Sequence, residues 1–180
     1  MGSVSFQRKN LMELGTVNRL DQAAFAVALG AVFEHSPWIA ERAFKSRPFT
    51  SADLLHGAMV QAVKRSAPDE QLRLLRAHPE LAGKEAQTGT MTSSSTEEQA
   101  HAGLTALTPM ERERIAQLNR DYRAKFGFPF VIAVRQHSKA GILSEFERRL
   151  NNDADTELAN ALVQVFIIAR LRLDAMFSRQ

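Results

Sequence analysis

Two short stretches hold nearly all the side chains in this chain that could do acid/base work on a small polar molecule. In Arg76-Ala77-His78-Pro79-Glu80-Leu81-Ala82-Gly83-Lys84 an imidazole stands directly before a proline. Ser95-Thr96-Glu97-Glu98-Gln99 then places hydroxyls, carboxylates and a carboxamide close together. An imidazole gives or takes a proton near neutral pH, and the second stretch offers it a polar hydrogen-bonding edge. Both stretches also have a purely structural reading. A histidine before proline often only ends a helix, where the macrodipole favours its charged form. Ser95-Thr96-Glu97-Glu98 has the Ser-x-x-Glu spacing of a capping box, with the serine oxygen accepting the N–H three residues on. The two readings are compatible, because a helix N-terminus presents N–H donors and a positive dipole end to a polar ligand.

Other chemistries find less support. Glu98-Gln99-Ala100-His101 has the Glu-x-x-His spacing of di-iron helical bundles, but such sites need a second pair and none exists here. His35, His56, His101 and His137 show no close ligand spacing, and there is no Cys for a thiolate site or a disulfide. No metal is expected. The chain has no Gly-rich phosphate loop and no Gly-x-Ser-x-Gly nucleophile motif. Arg172, in Ala169-Arg170-Leu171-Arg172-Leu173, alternates with apolar residues, the setting of a snorkelling or paired arginine.

The elements that must position these groups read as helices almost throughout. Leu20 to Phe33 puts Leu20, Ala24, Phe25, Val27, Ala28 and Val32 on a broad apolar face. Ser36-Pro37 supplies a cap and a first-turn proline for a helix running toward Lys45. Thr50 or Ser51 caps the next, Asp53 to Lys64, with Leu54, Leu55, Met59 and Val63 facing inward. A short helix opening at Ala67-Pro68-Asp69-Glu70 carries Leu72, Leu74 and Leu75 and must stop near His78, because Pro79 disfavours helical geometry before it. Residues 83 to 95 read as loop. Thr108-Pro109-Met110-Glu111 is a capping box with a first-turn proline, opening a helix that ends at Phe126-Gly127. Phe128 to Val134 is apolar and β-branched, yet no partner strand exists, so a buried extended segment is expected. Helices from Ser138 to Leu150 and from Thr156 to about Phe177 complete an all-α, single compact domain of about eight helices. That domain is expected to span residues 1–180, with 1–10 flexible.

Composition fits this reading. Of the 180 residues 44% are hydrophobic and 24% charged, enough of each for a real core under a solvated surface. The formal charge of +3 comes from basic residues dispersed among 20 acidic ones, and there is one Trp and one Tyr. No basic-aromatic stacking surface emerges, so no nucleic-acid partner is expected. No run reaches the roughly 20 apolar residues of a membrane span, and Arg8-Lys9 precede no apolar leader segment. A cytoplasmic protein with no membrane partner is expected.

Four motifs in order carry the reading further. They are Phe33-Glu34-His35-Ser36-Pro37-Trp38, His78-Pro79-Glu80-Leu81-Ala82-Gly83, Thr92-x-x-Ser95-x-x-Glu98-Gln99-x-x-Ala102-Gly103-Leu104, and Phe126-Gly127-Phe128-Pro129-Phe130-Val131-Ile132. Over Leu20 to Met176 the chain resembles the 2-oxo-4-hydroxy-4-carboxy-5-ureidoimidazoline (OHCU) decarboxylase family. The resemblance implies an all-helical, homodimeric carboxy-lyase of urate degradation that converts OHCU to (S)-allantoin without a cofactor. It makes His78 the catalytic histidine and Glu98 the carboxylate that works with it. It makes Pro79, Ser95, Thr96, Glu97, Gln99, Phe130, Val131, Ile132, Ala133 and Val134 substrate-binding. Arg172, with Arg170 as the alternative, would be the active-site arginine of the last helix. Thr88-Gly89-Thr90-Met91 and Gln136-His137 depart from the family's usual forms beside these motifs, not within them. Two readings from other classes remain beside this one: a metal-dependent bundle around Glu98 and His101, and a non-catalytic helical interaction module.

Overall fold

Capping residues set most of the helix starts in the computed structural model, which describes residues 12–177. Among the described residues there are ten α-helices. They are α1 (Leu14–Arg19), α2 (Gln22–Leu29), α3 (Trp38–Ala43), α4 (Ala52–Lys64), α5 (Pro68–Arg76), α6 (Lys84–Thr88), α7 (Ser93–His101), α8 (Pro109–Phe126), α9 (Lys139–Arg149) and α10 (Ala154–Met176). Asp21, Ser51, Ser138 and Asp153 each accept a hydrogen bond from the N–H three residues on, opening α2, α4, α9 and α10. Thr108 and Glu111 form the expected reciprocal box at the start of α8. Gly127, at φ 76°, ends that helix in the left-handed conformation that glycine adopts without strain.

The fold is all-α as expected, and the two helices beyond eight are the short α1 and α6. Four local expectations are corrected. The helix read over Leu20 to Phe33 covers only Gln22–Leu29, and residues 30 to 36 form turns that still bury Val32, Phe33 and Glu34. Val27 and Leu54 point outward, because the buried stripes run through Phe25 and Leu29 in α2 and through Leu55, Met59 and Val63 in α4. The passage from 83 to 95 is not all loop: α6 lies within it and α7 begins at Ser93. The N-cap of α3 is Pro37, and Ser36 contributes its carbonyl, which accepts the Ile39 N–H. The expectation for residues 1–10 lies outside the described residues.

Helix α10 is the spine. It packs on α4 and α5, while α3 lies between α2 and α4. Residues 128–133 run through the core without a partner strand among the described residues, as expected, although Val134 already begins a 3-10 turn, and side chains replace the missing ladder. Gln164 Oε1 accepts the Ala133 N–H at 2.9 Å, and Arg149 Nη1 donates to the Val131 carbonyl at 2.8 Å. Arg149 and Glu157 form a buried ion pair at 2.6 Å, joined by the Tyr122 hydroxyl and the Asn152 amide. Burial and the Glu157 hydrogen bond push the Tyr122 phenol well above its ordinary pKa. Phe130 stacks on Phe146 with centroids 3.9 Å apart, and Tyr122 meets both rings edge-on. No helix among the described residues is long and apolar enough to cross a membrane.

Candidate active site

Four distant pieces of chain meet at one narrow cavity. It is lined by His78, Pro79 and Leu81 after α5, by Ser95, Glu98 and Gln99 on α7, by Phe130, Val131 and Ile132 of the extended segment and Val134 in the turn that follows it, and by Ile168 and Arg172 on α10. The packing of α10 on α5 brings Arg172 to the end of the helix that Pro79 terminates.

His78 follows the C-cap of α5, and its N–H still bonds the Leu75 carbonyl. Its ring Nδ1 lies 2.9 Å from the Leu74 carbonyl oxygen, which can only accept, so Nδ1 carries the proton. Nε2 is then the basic nitrogen, and it makes no hydrogen bond to the described residues. Burial pushes the imidazole down to about 4; the Leu74 bond and Glu34 oppose that shift, while Arg172 and His35 reinforce it. Desolvation therefore overrides the helix dipole, and His78 is neutral at pH 7. Its orientation comes from a backbone carbonyl and not from Glu98, whose carboxylate faces Arg172.

The guanidinium of Arg172 is shared between two carboxylates. Nε and Nη2 donate to the two oxygens of Glu98, each at 2.9 Å, in a bidentate fork. Nη1 donates to Glu34 Oε2 at 2.8 Å, and Nη2 also reaches Ser95 Oγ at 3.2 Å. Burial works against the charged guanidinium, but the hydrogen bonds and charges of Glu98 and Glu34 outweigh it, and the pKa of Arg172 is raised. Arg170 does not line the cavity: it turns outward to Asp53 and Asp174.

Glu34 is the charged residue that sequence reasoning missed, and the cavity-lining Leu81 and Ile168 were also not among its site residues. Glu34 is 2% exposed and accepts from Thr92 Oγ1 at 2.6 Å and Ser95 Oγ at 3.0 Å as well as from Arg172. Burial disfavours its charge, yet Arg172 and the hydrogen bonds from Thr92 and Arg172 hold its pKa below the ordinary carboxylate value. The available signal was a carboxylate directly after the apolar pair Val32-Phe33.

The cap at the second motif is also corrected. Thr92, not Ser95, opens α7, and its hydroxyl accepts the Ser95 N–H at 3.3 Å. Ser95 sits inside the first turn with its hydroxyl on the Glu34–Arg172 pair. Gln99 lines the cavity, but its amide holds the preceding turn, accepting from Ala82 N–H at 2.9 Å and donating to the Glu80 carbonyl at 3.2 Å. Thr96 is exposed and donates to the Thr92 carbonyl, off the cavity. Glu97 is exposed and lines a separate hollow beside Arg135, on the outer side of the Glu98–Arg172 pair. Ala133 is buried but does not line the cavity; its N–H is held by Gln164. No group of three or more His, Asp or Glu with metal-holding geometry occurs among the described residues.

An imidazole acceptor, a carboxylate-clamped guanidinium and an apolar wall around one cavity suit proton transfer on a small polar ring. The sequence model of the OHCU decarboxylase family matches residues 18–174, nearly the whole chain. The chain belongs to the OHCU decarboxylase family. It is 46% identical over 169 residues to a 2-oxo-4-hydroxy-4-carboxy-5-ureidoimidazoline decarboxylase of Haloferax volcanii, covering 94% of this chain and 98% of that one. It is also 41% identical to a uric acid degradation bifunctional protein of Bacillus sp. strain TB-90, covering 93% of this chain and 32% of that longer protein. Among solved structures, an (S)-allantoin synthase superposes with a TM-score of 0.74 at 30% identity, covering 92% of this chain and 54% of that chain.

Proposed function

We propose that the chain decarboxylates OHCU to (S)-allantoin in urate degradation, with His78, Glu98 and Arg172 as the acting side chains. The observation that carries this reading is the convergence of His78 Nε2, Glu98 and Arg172 on one cavity in a member of this family.

The chemistry follows from the substrate and from these groups. When the bond from the ring carbon to the carboxylate breaks, CO2 departs and its electron pair stays on the carbon that also carries the hydroxyl. The adjacent ring C=N accepts that pair, so a carbon–carbon double bond forms in the ring and the ring nitrogen takes a proton. Neutral His78, with Nε2 free, accepts the hydroxyl proton as the enol becomes a carbonyl. His78 returns that proton to one face of the carbon bearing the ureido group, which restores the neutral imidazole and sets the S configuration, while the proton taken by the ring nitrogen comes from water. Glu98 turns one carboxylate oxygen to the ureido N–H donors. Free backbone groups of Phe130 to Val134 hold the ring edge, while Phe130, Ile132 and Ile168 exclude water. Arg172 serves best when aimed at the oxygen that gains charge as CO2 leaves, since pairing with the departing carboxylate would stabilise the ground state.

The same reading takes residues 1–180 as one domain acting as a cytoplasmic homodimer. A core running from Val17 to Phe177 supports the first part, and light scattering of the purified chain tests the second. The decisive assay supplies freshly generated urate-oxidation product and follows circular dichroism, because uncatalysed decay gives racemic allantoin. Rapid appearance of the S enantiomer is expected. Racemic product formed at the uncatalysed rate rejects the proposal.

A further inference from the structure

Two carboxylates share one guanidinium in this site, and they are not equivalent. Glu98 reaches Arg172 through the Nε–Nη2 fork from the cavity side and stays partly accessible, at 13% of its side-chain surface. Glu34 lies behind Arg172 with its side chain 1% exposed. Both its oxygens are occupied, Oε1 by Thr92 and Oε2 by Ser95 and Arg172 Nη1. It does not line the cavity, and the His35 ring stands on its outer side at 4.0 Å. Glu98 can therefore turn to a ligand, whereas Glu34 cannot move without leaving several donors buried and unsatisfied.

We propose that Glu34 is the fixed counter-ion of Arg172, a positioning residue that keeps the guanidinium neutralised while Glu98 engages the substrate. The inference rests on the decarboxylase reading. With neutral His78, the group of Glu34, Glu98 and Arg172 carries one net negative charge, so an entering carboxylate meets no uncompensated cation. Its ground state is left unstabilised, and release of CO2 relieves the repulsion. Without the charge of Glu34, Arg172 would have one anionic partner for two roles and would capture the substrate carboxylate. Binding would tighten and turnover would slow.

The test is Glu34→Gln, close in shape but uncharged, beside Glu34→Asp, which keeps the charge on a shorter arm. In E34Q the KM for the anionic substrate is expected to fall about tenfold and kcat to fall by about as much or more, from the loss of one charge near a low-dielectric site. Inhibition by (S)-allantoin, which lacks the carboxylate, should stay within about twofold of wild type, a selectivity that general loosening of the fold would not produce. E34D should keep a near-wild-type KM, and this arm stands even if E34Q fails to fold. An E34Q enzyme whose KM is unchanged or raised overturns the proposal, and so does an E34D enzyme with the fallen KM expected of E34Q. If wild type turns over and these outcomes occur, only the role of Glu34 is lost. If wild type gives no S product, the decarboxylase reading falls and takes this one with it.

Discussion

Replacing His78 by Asn separates its chemistry from its packing. The Asn amide can still donate to the Leu74 carbonyl in place of Nδ1, but nothing remains where Nε2 accepts a proton. Loss of a positioned general base lowers turnover by about a hundredfold to ten-thousandfold. A second, independent consequence concerns stability. The imidazole sits at about 4 in the folded protein against an ordinary 6.5, so between these pH values the unfolded chain binds more protons than the folded one. Stability therefore rises with pH through that window: it is fully present above 6.5 and is lost as pH falls toward 4. The shift corresponds to about 3 kcal/mol of stability that His78 makes pH-dependent. The acid limb of kcat/KM is expected near 4 for the same reason, since the free enzyme holds His78 neutral at pH 7. Urea unfolding of wild type and H78N at several pH values between 4 and 7, with the dichroism assay in parallel, measures both effects. An H78N enzyme with near-wild-type turnover, or one whose stability falls with acid as steeply as wild type, would refute the reasoning.

Arg149→Met leaves Glu157 charged and buried, with a stability loss of about 3–5 kcal/mol by thermal or urea unfolding, and the double variant with Glu157→Met should recover much of it. Arg172→Lys keeps the charge but removes the fork onto Glu98 and the reach to Glu34 and Ser95; kcat/KM is expected to fall by about tenfold or more in the dichroism assay. Thr108→Ala removes the cap of α8 far from the cavity and should cost about 1 kcal/mol in urea unfolding with kcat unchanged.

The sequence by itself determined the helical class and the starts of α4, α5, α8 and α9. These are local facts: a cap bonds the N–H three residues on, Pro79 keeps α5 from running past Ala77, and buried stripes recur at helical spacing. Thr108, Ser138 and Pro79 could each be read without knowing what lies across the core. His78 and Glu98 were legible as site candidates because ordered motifs marked them, whereas Arg172 lies outside those motifs and shared its candidacy with Arg170. What only the tertiary structure decided was pairing between segments. That α7 opens at Thr92, with Ser95 freed to bond Glu34, depends on a turn more than 50 residues earlier. Glu34, Arg149 and Glu157 are ordinary surface residue types until folding buries them, and each is tolerated there only because its partner arrives from elsewhere in the chain. Arg170 and Arg172 are two residues apart, so their side chains leave α10 about 200° apart, and only the packing of α10 on α4 and α5 chose which one faces the cavity.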